Sequence, residues 1–124
     1  MSIPAFLVED SPVIRKNLIP TLAELGGISV VAFAEGQAEA LEWLGSHDGE
    51  WELVIVDLFL REGSGLGVIA ETKERQPDVP VVVLTNYATP DMRRRCLELG
   101  ADAFFDKSSQ LEEFFLYCEQ HFSR

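Results

Sequence analysis

Short apolar runs in this 124-residue chain stop at groups that can do chemistry. Ile3–Val8 ends in Glu9-Asp10, Leu53–Val56 ends in Asp57, residues 81–84 end in Thr85-Asn86, and Ala103-Phe104-Phe105-Asp106 leads into Lys107. Such runs, bounded by turn formers and β-branched at 53–56 and 81–84, read as strands buried on both faces. The carboxyl end of a central strand is where open α/β sheets place their ligands. With the runs side by side in parallel, Glu9, Asp10, Asp57, Thr85 and Lys107 share one rim. Three carboxylates in one crevice repel each other and raise their pKa values unless a cation neutralises them. A hard divalent ion such as Mg2+ meets that need, and it keeps waters that a phosphoryl group can replace. Lys107 offers a point charge for one phosphoryl oxygen and Thr85 a hydroxyl for another. A nucleophilic carboxylate, a metal, a lysine and a hydroxyl are the parts needed to form and hold an aspartyl phosphate, with Asp57 the acceptor. Asp is also common wherever a strand ends in a turn, and the 53–57 stretch alone leaves both readings open.

Those groups meet only if the intervening segments return the chain to the same side of the sheet. Ser11-Pro12 supplies an N-cap followed by proline at the first helical position, and Ile14, Leu18, Leu22 and Leu25 recur at helical spacing up to Gly26-Gly27. Pro20 inside that helix is expected to kink it. Residues 28–34 read as a strand, 36–44 as a helix with Ala40, Leu41 and Leu44 on its sheet side, and 45–50 as a polar loop. A loop containing Gly63, Ser64, Gly65 and Gly67 precedes a helix over 66–76 that Pro77 stops. Thr89-Pro90-Asp91 starts a helix that Gly100 ends. The last helix, 109–122, is expected to open with a Ser109–Glu112 capping box and to bury Leu111, Phe114, Phe115, Cys118 and Phe122. Alternation of five strands with five helices implies a parallel α/β sheet with right-handed crossovers and helices on both faces. The length allows one domain over 1–124.

Composition narrows the function. A net charge of −11 sets the domain against phosphate backbones and anionic lipid, so neither direct nucleic-acid binding nor membrane binding is expected. No apolar run reaches the roughly 18 residues of a membrane span, and Met1-Ser2-Ile3-Pro4 has no basic leader, which places the chain in the cytoplasm. Cys96 and Cys118 lack metal-type spacing and read as small hydrophobes kept reduced. His47 and His121 have no carboxylate or cysteine pattern around them, and Trp43 and Trp51 read as packing anchors.

Glu9-Asp10, Asp57, Gly65 eight positions later, Thr85, and Lys107 with Phe104 three before it together resemble the receiver domain of two-component response regulators. The resemblance covers essentially the whole chain. It implies a flavodoxin-like (βα)5 three-layer sandwich with strand order 2-1-3-4-5, and phosphoryl transfer onto Asp57 from a histidine kinase or histidine phosphotransfer protein. It further implies Mg2+ held by Glu9, Asp10, Asp57 and the main-chain carbonyl of Phe59. Thr85, Lys107 and backbone N–H groups around Leu58 and Asn86 would bind the phosphoryl group, and Thr85 and Phe104 would form a coupled switch. The ligand biasing that switch is a covalent charge of roughly −1.5 to −2. Its readout would be a downstream protein or a homodimer through the fourth helix, fifth strand and fifth helix. Arg93-Arg94-Arg95 lie on that surface with Asp102, Glu112 and Glu113 as partners across a two-fold axis, or else form a solvated helix face.

The chain also departs from the family. Ser108 follows Lys107 where many receivers carry a cis-linked proline, and a cis bond before serine costs about 3–4 kcal/mol, so a trans bond with a reshaped loop or a strained cis bond is expected. Asn86 stands where a small residue is usual, and Arg61 where many relatives have proline. Phe59 and Tyr87, two after Asp57 and Thr85, flank the path of attacking water and cannot orient it, which predicts slow autodephosphorylation. A haloacid-dehalogenase-type phosphatase would want an Asp where Phe59 stands. A pseudo-receiver that never takes phosphate is opposed by the complete acidic, threonine and lysine set. With only Ser123-Arg124 after the last helix, a stand-alone receiver without an output domain is expected; the alternative is a receiver cut from a larger regulator or hybrid kinase.

Overall fold

The computed structural model describes residues 2–47 and 49–122. Met1, Asp48, Ser123 and Arg124, which the sequence reading assigns to the chain ends and the polar loop, lie outside the described residues. The elements alternate in the expected way: β1 (Ile3–Val8), α1 (Pro12–Gly26), β2 (Ile28–Ala34), α2 (Gln37–Ser46), β3 (Leu53–Val56), α3 (Gly65–Arg75), β4 (Val81–Thr85), α4 (Pro90–Glu98), β5 (Ala103–Asp106) and α5 (Leu111–Phe122). The five strands form one sheet in the order β2-β1-β3-β4-β5, each neighbouring pair parallel.

Strand alternation divides the core in two. Phe6, Val8, Val54, Val56, Val81 and Val83 pack with Ala40 and Leu44 of α2, Val68 and Ile69 of α3 and Cys96 of α4. On the opposite face Ala5, Leu7, Leu53, Ile55, Val82 and Leu84 meet Leu18 and Leu22 of α1 and Phe114 and Cys118 of α5. Full burial of each Val, Leu, Ile or Phe contributes about 1.5–3 kcal/mol, so the central strands hold the frame against which the polar rim is positioned.

The helix starts follow their local chemistry. Ser11 Oγ accepts the Ile14 N–H at 3.2 Å and Thr89 Oγ1 accepts the Met92 N–H at 3.1 Å, each just before a proline. Helix α1 runs unbroken through Pro20 and ends at Gly27, whose φ of 62° is left-handed. Helix α2 extends to Ser46 rather than stopping at Leu44, and α3 starts at Gly65, with Ser64 Oγ accepting the Leu66 N–H at 3.0 Å.

The start of α5 corrects the sequence reading. The Ser109–Glu112 capping box does not form, and the helix begins at Leu111. The Asp106 carboxylate instead accepts the Ser108 N–H at 2.7 Å, the Ser108 hydroxyl at 2.6 Å and the Ser109 N–H at 3.1 Å. A carboxylate is the stronger acceptor, and these donors, the Ser108 hydroxyl foremost, hold its pKa below the usual value. The Lys107–Ser108 bond is trans, the first of the two expected outcomes, and this turn is its reshaped loop.

Candidate functional site

The sheet ladder continues one residue past the strands and sets the rim. The Glu9 N–H donates to Ala34 O at 3.0 Å, the Asp57 N–H to Val8 O at 3.0 Å and the Lys107 N–H to Thr85 O at 2.8 Å. Side chains far apart in sequence are thereby brought together. Lys107 Nζ lies 2.5 Å from Glu9 Oε1 and 3.4 Å from Asp57 Oδ2. Glu9 is only 1 % exposed and Asp57 8 %. Burial pushes the Glu9 carboxyl above its ordinary pKa and Asp57 adds to the rise, while the Lys107 ammonium and the Ser11 N–H pull the other way.

Glu9, Asp10 and Asp57 each bring a carboxylate oxygen within 4.8 Å of the others. Among the described residues the Asp10 carboxylate has no hydrogen-bond partner, so the cluster offers an oxygen set with one member free and Lys107 as its cation. Hard oxygen donors of this kind fit magnesium. Asp57 Oδ1 accepts the Leu58 N–H at 2.8 Å, and the fully buried Thr85 accepts the Tyr87 N–H on its Oγ1 at 3.1 Å, which leaves the hydroxyl proton to donate elsewhere.

Gly65 is required by close approach. A Cβ there would lie 2.2 Å from the Asp57 carbonyl oxygen and 2.8 Å from Leu58 Cα, both backbone atoms. The Gly65 N–H donates to Leu58 O at 2.9 Å, which folds the β3–α3 loop back over the acceptor.

Residues 5–118 match the response regulator receiver domain. This chain belongs to that family. Receivers are phosphoacceptor domains of two-component signalling that bind Mg2+ at an acidic pocket and interact with histidine kinases. The receiver is 30% identical over 112 residues to the transcriptional regulatory protein CiaR of Streptococcus pneumoniae, covering 90% of this chain and 47% of that protein. It superimposes on the non-phosphorylated HemR receiver domain of Leptospira biflexa with a TM-score of 0.81 at 29% identity, covering 99% of this chain and 96% of that one. The phosphorylated cyanobacterial phytochrome response regulator RcpA gives the same TM-score of 0.81 at 25% identity, over 99% of this chain and 96% of that one. The chain spans about half the length, or less, of the first curated relatives it matches.

Around this receiver's pocket the remaining expected residues sort as follows. Phe104 is 3 % exposed and packs in the core beside α4. Arg93 of α4 reaches the Phe104 carbonyl at 3.2 Å, while Arg94 pairs within α4 with Asp91 and Glu98. Within the chain Asp102 binds Lys73 at 3.0 Å and accepts the Val81 N–H at 2.8 Å. Phe59 and Tyr87 are about half exposed, with ring centroids 4.2 Å apart, and Asn86 is exposed. Trp43 stacks on Phe6 at 4.4 Å and on His47 at 4.3 Å, and Trp51 is buried, in keeping with packing roles. Among the described residues no helix is long and apolar enough to cross a membrane.

Sequence reasoning missed Arg15, which donates to Glu9 O at 2.8 Å and pairs with Glu35 at 2.9 Å. The only signal available was an arginine six residues after Glu9, one turn into α1, and nothing local tells where its side chain goes.

Proposed function

We propose that this receiver takes a phosphoryl group on Asp57 from a phosphohistidine of a histidine kinase or phosphotransfer protein. An Asp57 oxygen forms the new P–O bond as the P–N bond to the donor imidazole breaks, and the imidazole, protonated on its other ring nitrogen in the donor, leaves as the neutral base. The observation that carries this reading is Lys107 Nζ lying between Glu9 and Asp57 with the free Asp10 carboxylate beside them. Glu9, Asp10, Asp57 and the Phe59 carbonyl would hold Mg2+, which when bound supplies positive charge for the carboxylates and the incoming phosphoryl oxygens. Lys107 orients one phosphoryl oxygen, and Thr85 and the N–H groups of Leu58 and Asn86 orient the others. The Leu58 N–H already points at Asp57 Oδ1, which supports its part in this cradle.

Recruitment of Thr85 to the phosphoryl group would be relayed through Phe104 to α4, β5 and α5, and so to a protein target or a second receiver. The Arg93 bond to the Phe104 carbonyl supports α4 as part of that relay. Phe59 and Tyr87, bulky and without an acid or amide to orient water, support a long-lived phosphoryl group. Incubation with Mg2+ and a small phosphodonor tests the core claim: intact mass should rise by one phosphoryl group in the wild type and not in Asp57→Asn. A modified Asp57→Asn, or no modification of the wild type, refutes it. Sizing both forms in the same run reads out pairing.

A further inference from the structure

Three loops border the acidic side of the pocket, and one carboxylate ties them together. Glu35, at the end of β2, takes Arg15 of α1 on Oε2 at 2.9 Å and Arg61 of the β3–α3 loop on Oε1 at 3.1 Å. The same Arg15 nitrogen donates to the Glu9 carbonyl at 2.8 Å, and its guanidinium lies 4.1 Å from the centre of the Phe33 ring. Glu35 is itself anchored, its N–H donating to Glu39 Oε1 at 2.7 Å. The Arg15 side chain is 11% exposed and Glu35 28%, so this half of the clasp is partly shielded, whereas Arg61 is 65% exposed.

The Glu9 carbonyl belongs to the peptide unit that carries Asp10, the carboxylate with no hydrogen bond of its own among the described residues. Its placement therefore depends on backbone, and Arg15 fixes that backbone. Arg61 stands two residues after Phe59, on the loop whose carbonyl would complete the oxygen set. That loop is bound again next door. The Glu62 carboxylate accepts the Ala38 N–H at 3.1 Å, its carbonyl accepts the Gln37 N–H at 2.9 Å, and Gln37 Oε1 accepts the Ser64 N–H at 2.9 Å.

We infer that Glu35, gripping Arg15 and Arg61, is a positioning residue for metal binding: it sets the spacing between the Glu9-Asp10 segment and the Phe59 loop before a cation arrives. Preorganisation of this kind raises affinity by removing an ordering cost from the binding step. The inference rests on the proposed Mg2+ site and assigns it a support that two ion pairs supply.

Arg61 gives a test in which two explanations differ in sign. Removing a cation near a dication site tightens binding by simple electrostatics, whereas opening the clasp weakens it. Mg2+ alone is titrated calorimetrically into the full chain at low ionic strength. The expected result is binding about two- to fivefold weaker in Arg61→Gln, the range an exposed ion pair supports, with recovery in Arg61→Lys. In a Glu35→Gln background Arg61→Gln should bring no further weakening, because its partner is gone. Arg75→Gln, at the far end of α3 and paired with Glu71 at 3.6 Å, is the charge-matched control and should not weaken binding. Unchanged or tighter binding in Arg61→Gln overturns the inference while leaving the metal site intact, as does weakening of the same size without Glu35. Absence of any Mg2+ binding in the wild type would instead remove the metal site itself, and this inference with it.

Discussion

Replacing Lys107 by methionine probes the electrostatics of the pocket most directly. The ammonium is the cation shared by Glu9 and Asp57, and Glu9 is 1 % exposed. Without it a buried carboxylate has no counter-charge and escapes by taking up a proton. Glu9 already titrates above its ordinary 4.5, so the stability it contributes is complete below that value and is lost as pH rises through the raised one. Lys107→Met moves the raised value higher still and carries the loss to higher pH. At 1.36 kcal/mol per pH unit above 4.5, keeping Glu9 protonated costs at most about 3.4 kcal/mol at pH 7 and about 0.7 kcal/mol at pH 5. Urea denaturation of chelator-treated protein should therefore show a Lys107→Met deficit that stays below about 0.7 kcal/mol at pH 5 and grows with pH toward a ceiling of about 3.4 kcal/mol at pH 7. Added Mg2+ should stabilise the variant more than the wild type, because it supplies the missing positive charge. A deficit independent of pH, or an equal response to Mg2+, would refute the reasoning.

Gly65→Ala forces a Cβ against the Asp57 carbonyl, so it should cost about 1–3 kcal/mol and abolish phosphorylation, whereas Gly67→Ala, which meets only the flexible Gln37 amide, should do less; denaturation and intact mass separate them. Burial pushes the Cys96 and Cys118 thiols up to about 11 and about 12, so at pH 8 neither should react with a disulfide reagent until the protein is unfolded, and rapid labelling of the native state would contradict the packing. Phe59→Asn combined with Tyr87→Ser should shorten the phosphoryl lifetime severalfold, measured as decay of the phosphorylated mass; an unchanged decay disposes of the aromatic pair as a barrier to water.

Much of this receiver is legible in its sequence because the signals are local. Short apolar runs, proline-led helix starts and Gly27 or Gly100 at helix ends are properties of a few adjacent residues, and they place β1, β2 and β5 to the residue. The rim follows from them, since parallel register turns the four strand ends into one line. Where the sequence misled, one donor had two acceptors within reach: a capping box would give the Ser109 N–H to the Glu112 carboxylate, but the Asp106 carboxylate, three residues back, takes it. Asp102, expected to face an arginine of a second copy, also binds Lys73 within its own chain, a contact no local pattern announces.

What the chain order settled alone was the class of fold and the four charged side chains that gather at its edge, Glu9, Asp10, Asp57 and Lys107. Tertiary structure alone decided that Gly65 passes against the Asp57 backbone, that the Phe104 ring lies inside, and that Glu35 joins Arg15 to Arg61. Each of these depends on the distance between loops remote in sequence, which neither periodicity nor propensity encodes. A long charged side chain has many rotamers, and only the assembled neighbours select one.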